Sequence, residues 1–146
     1  MKAKFVACIV LVIGIIISIV FFASSDTKYE NDENVVFHIT LAEPQKYENG
    51  RFSDFFEIEN GMYEIRFVPN GDSPKLLKIS INGEFLNFSE EFILEGTPHD
   101  TGISTYYTWK YLGNKIINIS NNQEVKISID PNGNLLGPVS IDIIKI

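Results

Sequence analysis

Apolar and polar positions divide this chain into two regimes. From Phe5 to Ala23 the residues are uncharged and mostly aliphatic. As a helix rising about 1.5 Å per residue the run spans roughly 28 Å, close to the roughly 30 Å hydrocarbon core of a bilayer. Secretory signal cores are shorter, about 7 to 15 residues. Length therefore favours a retained transmembrane helix over residues 5–23, although Ala23-Ser24-Ser25 has the small residues that a cleavage site uses. Lys2 and Lys4 precede the run and Asp26, Glu30, Asp32 and Glu33 follow it. Lysine bias on short flanks sets orientation, so residues 1–4 are expected in the cytoplasm and the rest of the chain outside, in a single-pass cell-membrane protein.

Beyond the run the period becomes two. Tyr63, Ile65 and Phe67 alternate with Glu64 and Arg66; Leu77, Ile79 and Ile81 with Lys78 and Ser80. Val125, Ile127 and Ile129 alternate with Lys126 and Ser128, and Val139, Ile141 and Ile143 with Ser140 and Asp142. Each set lines one face of a strand. Weaker strand patterns cover 35–41, 52–58, 84–88, 104–112 and 115–120, with a further one at 92–95. The punctuation agrees: Asn82-Gly83 has the composition of a type I′ hairpin turn, Asn60-Gly61 and Asn121-Asn122 suggest two more hairpins, and 69–74 and 130–134 read as longer turns. No sustained helical period follows residue 23. These elements predict an all-β fold, a single β-sandwich of jelly-roll or immunoglobulin-like order over 35–146, joined by a polar tether, 24–34, to the transmembrane helix.

Charge narrows the partners. Lys2 and Lys4 are two of twelve basic residues, so ten face nineteen acidic ones beyond the apolar run, a net charge of about −9. Nucleic acid and anionic lipid surfaces need clustered positive charge, which this composition does not offer. The one cysteine, Cys8, lies inside the apolar run, so the exported part has no disulfide and relies on its core. Within the apolar run Gly14 and Ser18 have the small-x-x-x-small spacing that allows two helix backbones to pack closely.

Candidate chemistry is sparse. Asp130-Pro131-Asn132-Gly133-Asn134 looks like an oxygen-rich cation loop, but Gly133 falls before the third ligand position and no Glu follows it. His38 and His99 are the two histidines, too few with no exported thiol to furnish a zinc site, so no metal or other cofactor is expected. His99-Asp100 reads as a solvated loop rather than part of a hydrolytic triad. The aromatic run Tyr106, Tyr107, Trp109 and Tyr111 carries more information. On a strand Tyr107, Trp109 and Tyr111 share one face, either anchoring the core or forming a platform for a sugar ring or a protein surface. Asn87-Phe88-Ser89 and Asn118-Ile119-Ser120 are N-glycosylation sequons whose asparagines alternation turns outward.

The segment from Gly61 to Pro69, the closing run from Gly137 to Ile143 and the single anchor resemble the small membrane-anchored β-sandwich ectodomain proteins of archaea. The resemblance implies a binding or structural part with no catalytic residues. The expected function is thus a non-catalytic, membrane-anchored extracytoplasmic binding or accessory module acting through protein or glycan contacts. A purely structural cell-surface component, and a hydrolase with an unrecognised carboxylate site, are the alternatives.

Overall fold

The computed structural model describes residues 34–146. The transmembrane helix expected over 5–23, with Gly14 and Ser18, and nearly all of the 24–34 tether lie outside the described residues. Among the described residues no helix is long and apolar enough to cross a membrane.

Nine strands account for most of the described chain: β1 (Val35–Leu41), β2 (Phe52–Ile58), β3 (Gly61–Pro69), β4 (Leu76–Gly83), β5 (Leu86–Asp100), β6 (Thr105–Leu112), β7 (Ile116–Ile119), β8 (Gln123–Asp130) and β9 (Val139–Lys145). A single 3-10 turn, Pro44–Lys46, interrupts the first connection. The strands form two wholly antiparallel sheets, β1-β9-β3-β7 and β2-β8-β4-β5-β6. The fold is therefore all-β and built as a two-sheet sandwich.

Alternation fills the space between the sheets. Phe37, Leu41, Tyr63, Ile65, Ile117, Ile119, Val139, Ile141 and Ile143 are buried from one sheet, and Ile58, Leu77, Ile79, Ile81, Phe92, Val125, Ile127 and Ile129 from the other. Aromatic rings close the core toward its edges: Phe37 meets Phe56 at 4.8 Å between centroids, and Phe67 meets both Phe92 and Tyr111 at 4.9 Å. Phe67, on the same face as buried Tyr63 and Ile65, is only partly buried, with the Lys115 ammonium 5.6 Å from its ring centre. Tyr63 and Tyr111 bury their rings and send their hydroxyls to the Glu59 carbonyl at 3.0 Å and the Pro74 carbonyl at 2.6 Å. Each phenol thus meets its polar need at the edge of the apolar interior.

The turns are arranged differently from the sequence pattern. Asn60-Gly61 and Asn121-Asn122 are not hairpins: β2 and β3 belong to different sheets, as do β7 and β8, so both turns carry the chain from sheet to sheet. The Asn60 amide donates to Asn122 Oδ1 at 2.7 Å, tying the two crossings together. The β4–β5 hairpin exists, but Gly83 pairs with Leu86, which places Glu84 and Phe85 in the turn. Gly83 is held in the strand because the Gln123 side chain occupies the space a Cβ would need, and Gln123 Oε1 accepts the Phe85 amide at 2.9 Å. Turns with two left-handed residues lie instead at Asn49-Gly50, with φ of 51° and 80°, closing the Glu48–Arg51 bridge, and at Asn132-Gly133, with φ of 52° and 84°. The strand patterns at 84–88 and 92–95 merge into one fifteen-residue strand, β5, that also takes in His99 and Asp100.

Ile127 is fully buried in the middle of β8. Ile127→Ala is expected to cost about 2–5 kcal/mol in chemical denaturation, the range for truncating a core aliphatic side chain. Tyr47 and Tyr111 offer a sharper pair. The Tyr47 hydroxyl is buried without a partner, whereas that of Tyr111 is bonded to Pro74. Tyr47→Phe should leave stability equal or higher, while Tyr111→Phe should lower it by about 1–3 kcal/mol because the Pro74 carbonyl loses its donor. Burial, with Tyr47 adding to it, pushes the Tyr111 hydroxyl far above the usual tyrosine range. A folded-state pKa above the unfolded one gives stability that is complete below roughly pH 10 and declines as pH rises further. Melting curves above that pH should fall less steeply for Tyr111→Phe than for the wild type.

Candidate functional site

The length mismatch between β4 and β5 creates the most distinctive surface of the domain. The β4–β5 ladder ends at Leu76 opposite Ile93, and one further bond, from the Leu94 amide to the Lys75 carbonyl at 2.9 Å, closes it. From Glu95 to Asp100 the only strand beside β5 is β6, in a register that pairs Glu95 with Lys110, Gly96 with Trp109, Thr97 with Thr108, Pro98 with Tyr107 and His99 with Tyr106. At about 3.3 Å per residue this two-stranded ribbon extends roughly 20 Å past the end of β4. Pro98 is tolerated because that stretch of β5 has a strand on one side only. The tip is tied off by the Thr101 amide and hydroxyl, which donate to the Ser104 carbonyl at 2.9 and 2.8 Å, and by Asp100 Oδ1, which accepts the Gly102 amide at 2.7 Å. Ile103 at the tip is 98% exposed.

Direction follows from register. Asn34, where the described chain begins, bonds to Lys145 beside the β2–β3 and β7–β8 crossings, and β5 also starts at that pole. The ribbon therefore points away from the chain's entry point.

The four aromatic residues singled out in the sequence do not form one platform. Tyr111 is buried under the four-stranded sheet and bonded to Pro74, so its place in a binding surface is corrected: it is a core residue. Trp109, two residues nearer the tip on the same face, is half-buried. Its indole lies across Gly96, where an added Cβ would come within 2.5 Å of the ring, and it reaches Gly71, where a Cβ would stand 3.2 Å away. The Lys75 ammonium sits 4.6 Å from the indole centre and donates to the Gly71 carbonyl at 3.2 Å. Trp109 thus fastens the ribbon to the β3–β4 loop. Tyr107, 5.6 Å from Trp109 with its plane 26° from parallel, is exposed. Tyr106 is exposed on the opposite face, stacked on His99 at 4.9 Å.

His99 accordingly lies in a strand, not in a solvated loop. Its Nε2 is 2.9 Å from Thr108 Oγ1, and both groups belong to the outer face of the ribbon with Tyr106. The ribbon offers exposed rings on each face, flanked by the hydroxyls of Thr97, Thr105 and Thr108.

A second polar cluster lies on the outer face of the four-stranded sheet. Asp142, nearly buried, faces His38 on β1 and Arg66 on β3. Its two oxygens meet His38 Nδ1 at 2.5 Å and Arg66 Nε at 3.1 Å. His38 Nε2 is 3.5 Å from Thr40 Oγ1, which is 2.8 Å from Ser140 Oγ. The order carboxylate, imidazole, hydroxyl is that of a hydrolytic triad. Here, however, the hydroxyl is committed to Ser140 at a shorter distance, and the arginine shares the carboxylate. The arrangement binds edge strand β1 to its neighbours.

At the chain-entry pole an open cleft of about 500 Å³ is lined by Asn34, Val36, Glu57, Ile58, Glu59, Tyr63, Asn122 and Lys145. Lys145 Nζ bonds Glu59 Oε2 at 2.9 Å. That bond lowers the Glu59 pKa and raises that of Lys145, so both stay charged and neither is set up to exchange protons near neutrality.

Among the described residues no three His, Cys, Asp or Glu side chains converge as a metal site would require. Asp130, the first residue of the calcium-like turn, bonds Arg51 Nε at 3.0 Å and the Asn132 amide at 2.9 Å. Asn87 and Asn118 of the two sequons are exposed, on β5 and on edge strand β7. Phe55 on β2 and Phe85 in the β4–β5 turn are exposed. The chain matches no protein-family model, no curated protein and no solved structure.

Removing the carboxylate that bridges β1, β9 and β3 tests its structural role. Asp142→Ala is expected to lower stability by about 1–3 kcal/mol, since two partners lose a charge-assisted bond. Hydrogen exchange should show the loss concentrated in β1.

Proposed function

We propose that this protein is a membrane-anchored extracytoplasmic binding module, non-catalytic, whose working surface is the β5–β6 ribbon. The observation that carries this reading is the ribbon itself, braced by Trp109, showing uncharged rings and hydroxyls at the end of the domain remote from Asn34. In this reading the apolar run of residues 5–23 is a retained anchor, with the preceding lysines on the cytoplasmic side. The strand order supports a jelly roll over an immunoglobulin-like order: with β6 set aside as an addition to the edge, the remaining eight strands wind as two four-stranded sheets in the alternating way of that fold. Such a sandwich is a rigid base for a loop or ribbon that does the binding.

Tyr107 and Tyr106, with Thr97, Thr105, Thr108 and Asp100 around them, fit the contacts of an uncharged sugar chain or an uncharged protein surface better than those of an anionic ligand. The net negative charge argues in the same direction. Exposed Asn87 and Asn118 are candidates for glycosylation, Asn87 at the end of β5 opposite the ribbon and Asn118 on edge strand β7.

Screening the full-length protein against immobilised glycans and surface proteins should yield a ligand whose affinity falls at least tenfold, about 1.4 kcal/mol, in Tyr107→Ala. Phe55→Ala, on a distant strand, should leave it unchanged. A ligand insensitive to both Tyr106→Ala and Tyr107→Ala would move the working surface elsewhere. Amino-terminal sequencing of membrane-extracted protein should find residues before Asp26; a mature chain starting at Asp26 would remove the anchor from the account.

A further inference from the structure

The sandwich has four edge strands, and three of them carry features that discourage pairing with another chain. β1 is irregular between Val35 and Phe37, and the Lys46 ammonium donates to the Thr40 carbonyl at 2.7 Å. β7 has four residues. β2 sets the carboxylates of Asp54 and Glu57 along its length. Short, irregular or charged edges are the usual protection against edge-to-edge association. β6 lacks these features. It runs for eight residues without proline or irregularity, and its one charge, Lys110, turns to Glu95 at 3.4 Å. Among the described residues no backbone bond reaches β6 from outside its ladder with β5, so its outward amides and carbonyls face solvent.

We propose that β6 pairs antiparallel with β6 of a second copy of this chain, on a two-fold axis passing through Thr108, joining two five-stranded sheets into one of ten. The inference is independent of the ligand read for the ribbon.

Charge and register select a second copy as the occupant. Residues 101–114 carry Lys110 as their only charge in a strongly acidic domain, so the ribbon edge is where two copies approach with least repulsion. With Thr108 on the axis, Thr108 opposes itself, and threonine pairs are favourable across antiparallel strands. On the same face Lys110 then opposes Tyr106 of the second copy, a cation beside an aromatic ring, so the two lysines never face each other. On the other face Trp109 opposes Tyr107 of the second copy, so that the four rings form one continuous strip. The tip is accounted for as well. Ile103 arrives level with Gly113 of the second copy, next to Leu112, which is itself exposed. An apolar residue left wholly in solvent on a monomer thereby gains a contact. The interface is isologous and closes at two, as a self-complementary patch must. The axis also sets the two chain-entry poles at opposite ends of the pair.

The test uses full-length protein in mild detergent with Cys8→Ser as background, so that introduced cysteines are the only thiols. Thr108→Cys should oxidise to a disulfide-linked dimer at least tenfold more efficiently than Ser53→Cys on edge strand β2. Mixing Tyr106→Cys chains with Lys110→Cys chains should give a cross-linked heterodimer in greater yield than either alone. In sedimentation the wild type should dimerise with concentration, and Thr108→Lys, which opposes two ammonium groups on the axis, should remain monomeric with an unchanged melting temperature. Equal cross-linking at positions 108 and 53, a monomeric wild type at tens of micromolar, or capture of an unrelated chain at position 108 in place of a second copy would each overturn the proposal.

Discussion

Trp109 lies across Gly96 and against Gly71, and this contact couples the projecting ribbon to the body of the sandwich. A two-stranded ribbon alone is at best marginally stable in water. Here the strand pair enters the sandwich as β5 and β6, and its first free turn of residues is covered by a large ring that needs both glycines to lie flat. A side chain at position 96 would collide with the indole, its Cβ coming within 2.5 Å of the ring. Aromatic cover over a strand glycine restores the side-chain packing that the glycine lacks. Lys75, held at the Gly71 carbonyl, covers the indole further and brings the β3–β4 loop into the same cluster. The loop is itself fixed: the Ser73 hydroxyl donates to the Pro138 carbonyl at 2.5 Å, and Asn134 Nδ2 donates to the Asp72 carbonyl at 3.0 Å. The ribbon is thus anchored through a chain of contacts that reaches β9.

The same economy of small residues governs the opposite pole. Gly83 clears space for Gln123, which in turn holds the Phe85 amide, while Asn60 and Asn122 join the two sheet crossings. Between the poles the core is almost entirely aliphatic and aromatic, and Tyr63 and Tyr111 send their hydroxyls to backbone carbonyls at its rim. Packing of this kind fixes the geometry of the projecting ribbon, which is inherited from the sandwich.

Alternation in the sequence identified most of the strands and the face their side chains occupy, since a period of two is imposed by the backbone itself. It could not indicate where the opposing sheet stops. Tyr107, Trp109 and Tyr111 lie on one face by that rule, yet they pass from exposed to half-buried to buried over five residues because only Tyr111 has the other sheet above it. Turn composition was a weaker guide. Asn60-Gly61 has hairpin composition but joins strands of different sheets, and Asn82-Gly83 is displaced into β4 by a side chain forty residues away. Asn49-Gly50, which does use two left-handed residues, follows a segment without alternation, so a strand pattern flanks it on one side only, at 52–58. The His38–Asp142–Arg66 bridge was likewise invisible, because cross-strand register brings together residues 104 positions apart. The strand order, set by long-range pairing, emerges only from the fold.

Trp109 is the only tryptophan in the chain, so its fluorescence reports directly on the contact that holds the ribbon in place. The decisive measurement is emission and acrylamide quenching of the full-length protein and of Gly96→Ala, each followed through thermal unfolding. Displacement of the indole by the new methyl group predicts a red-shifted, more readily quenched native spectrum in the variant, with the circular dichroism melt of the sandwich shifted far less than for Ile127→Ala. An unchanged emission maximum and quenching constant in a folded Gly96→Ala protein would contradict the account, because the indole would not depend on the glycine that is said to seat it.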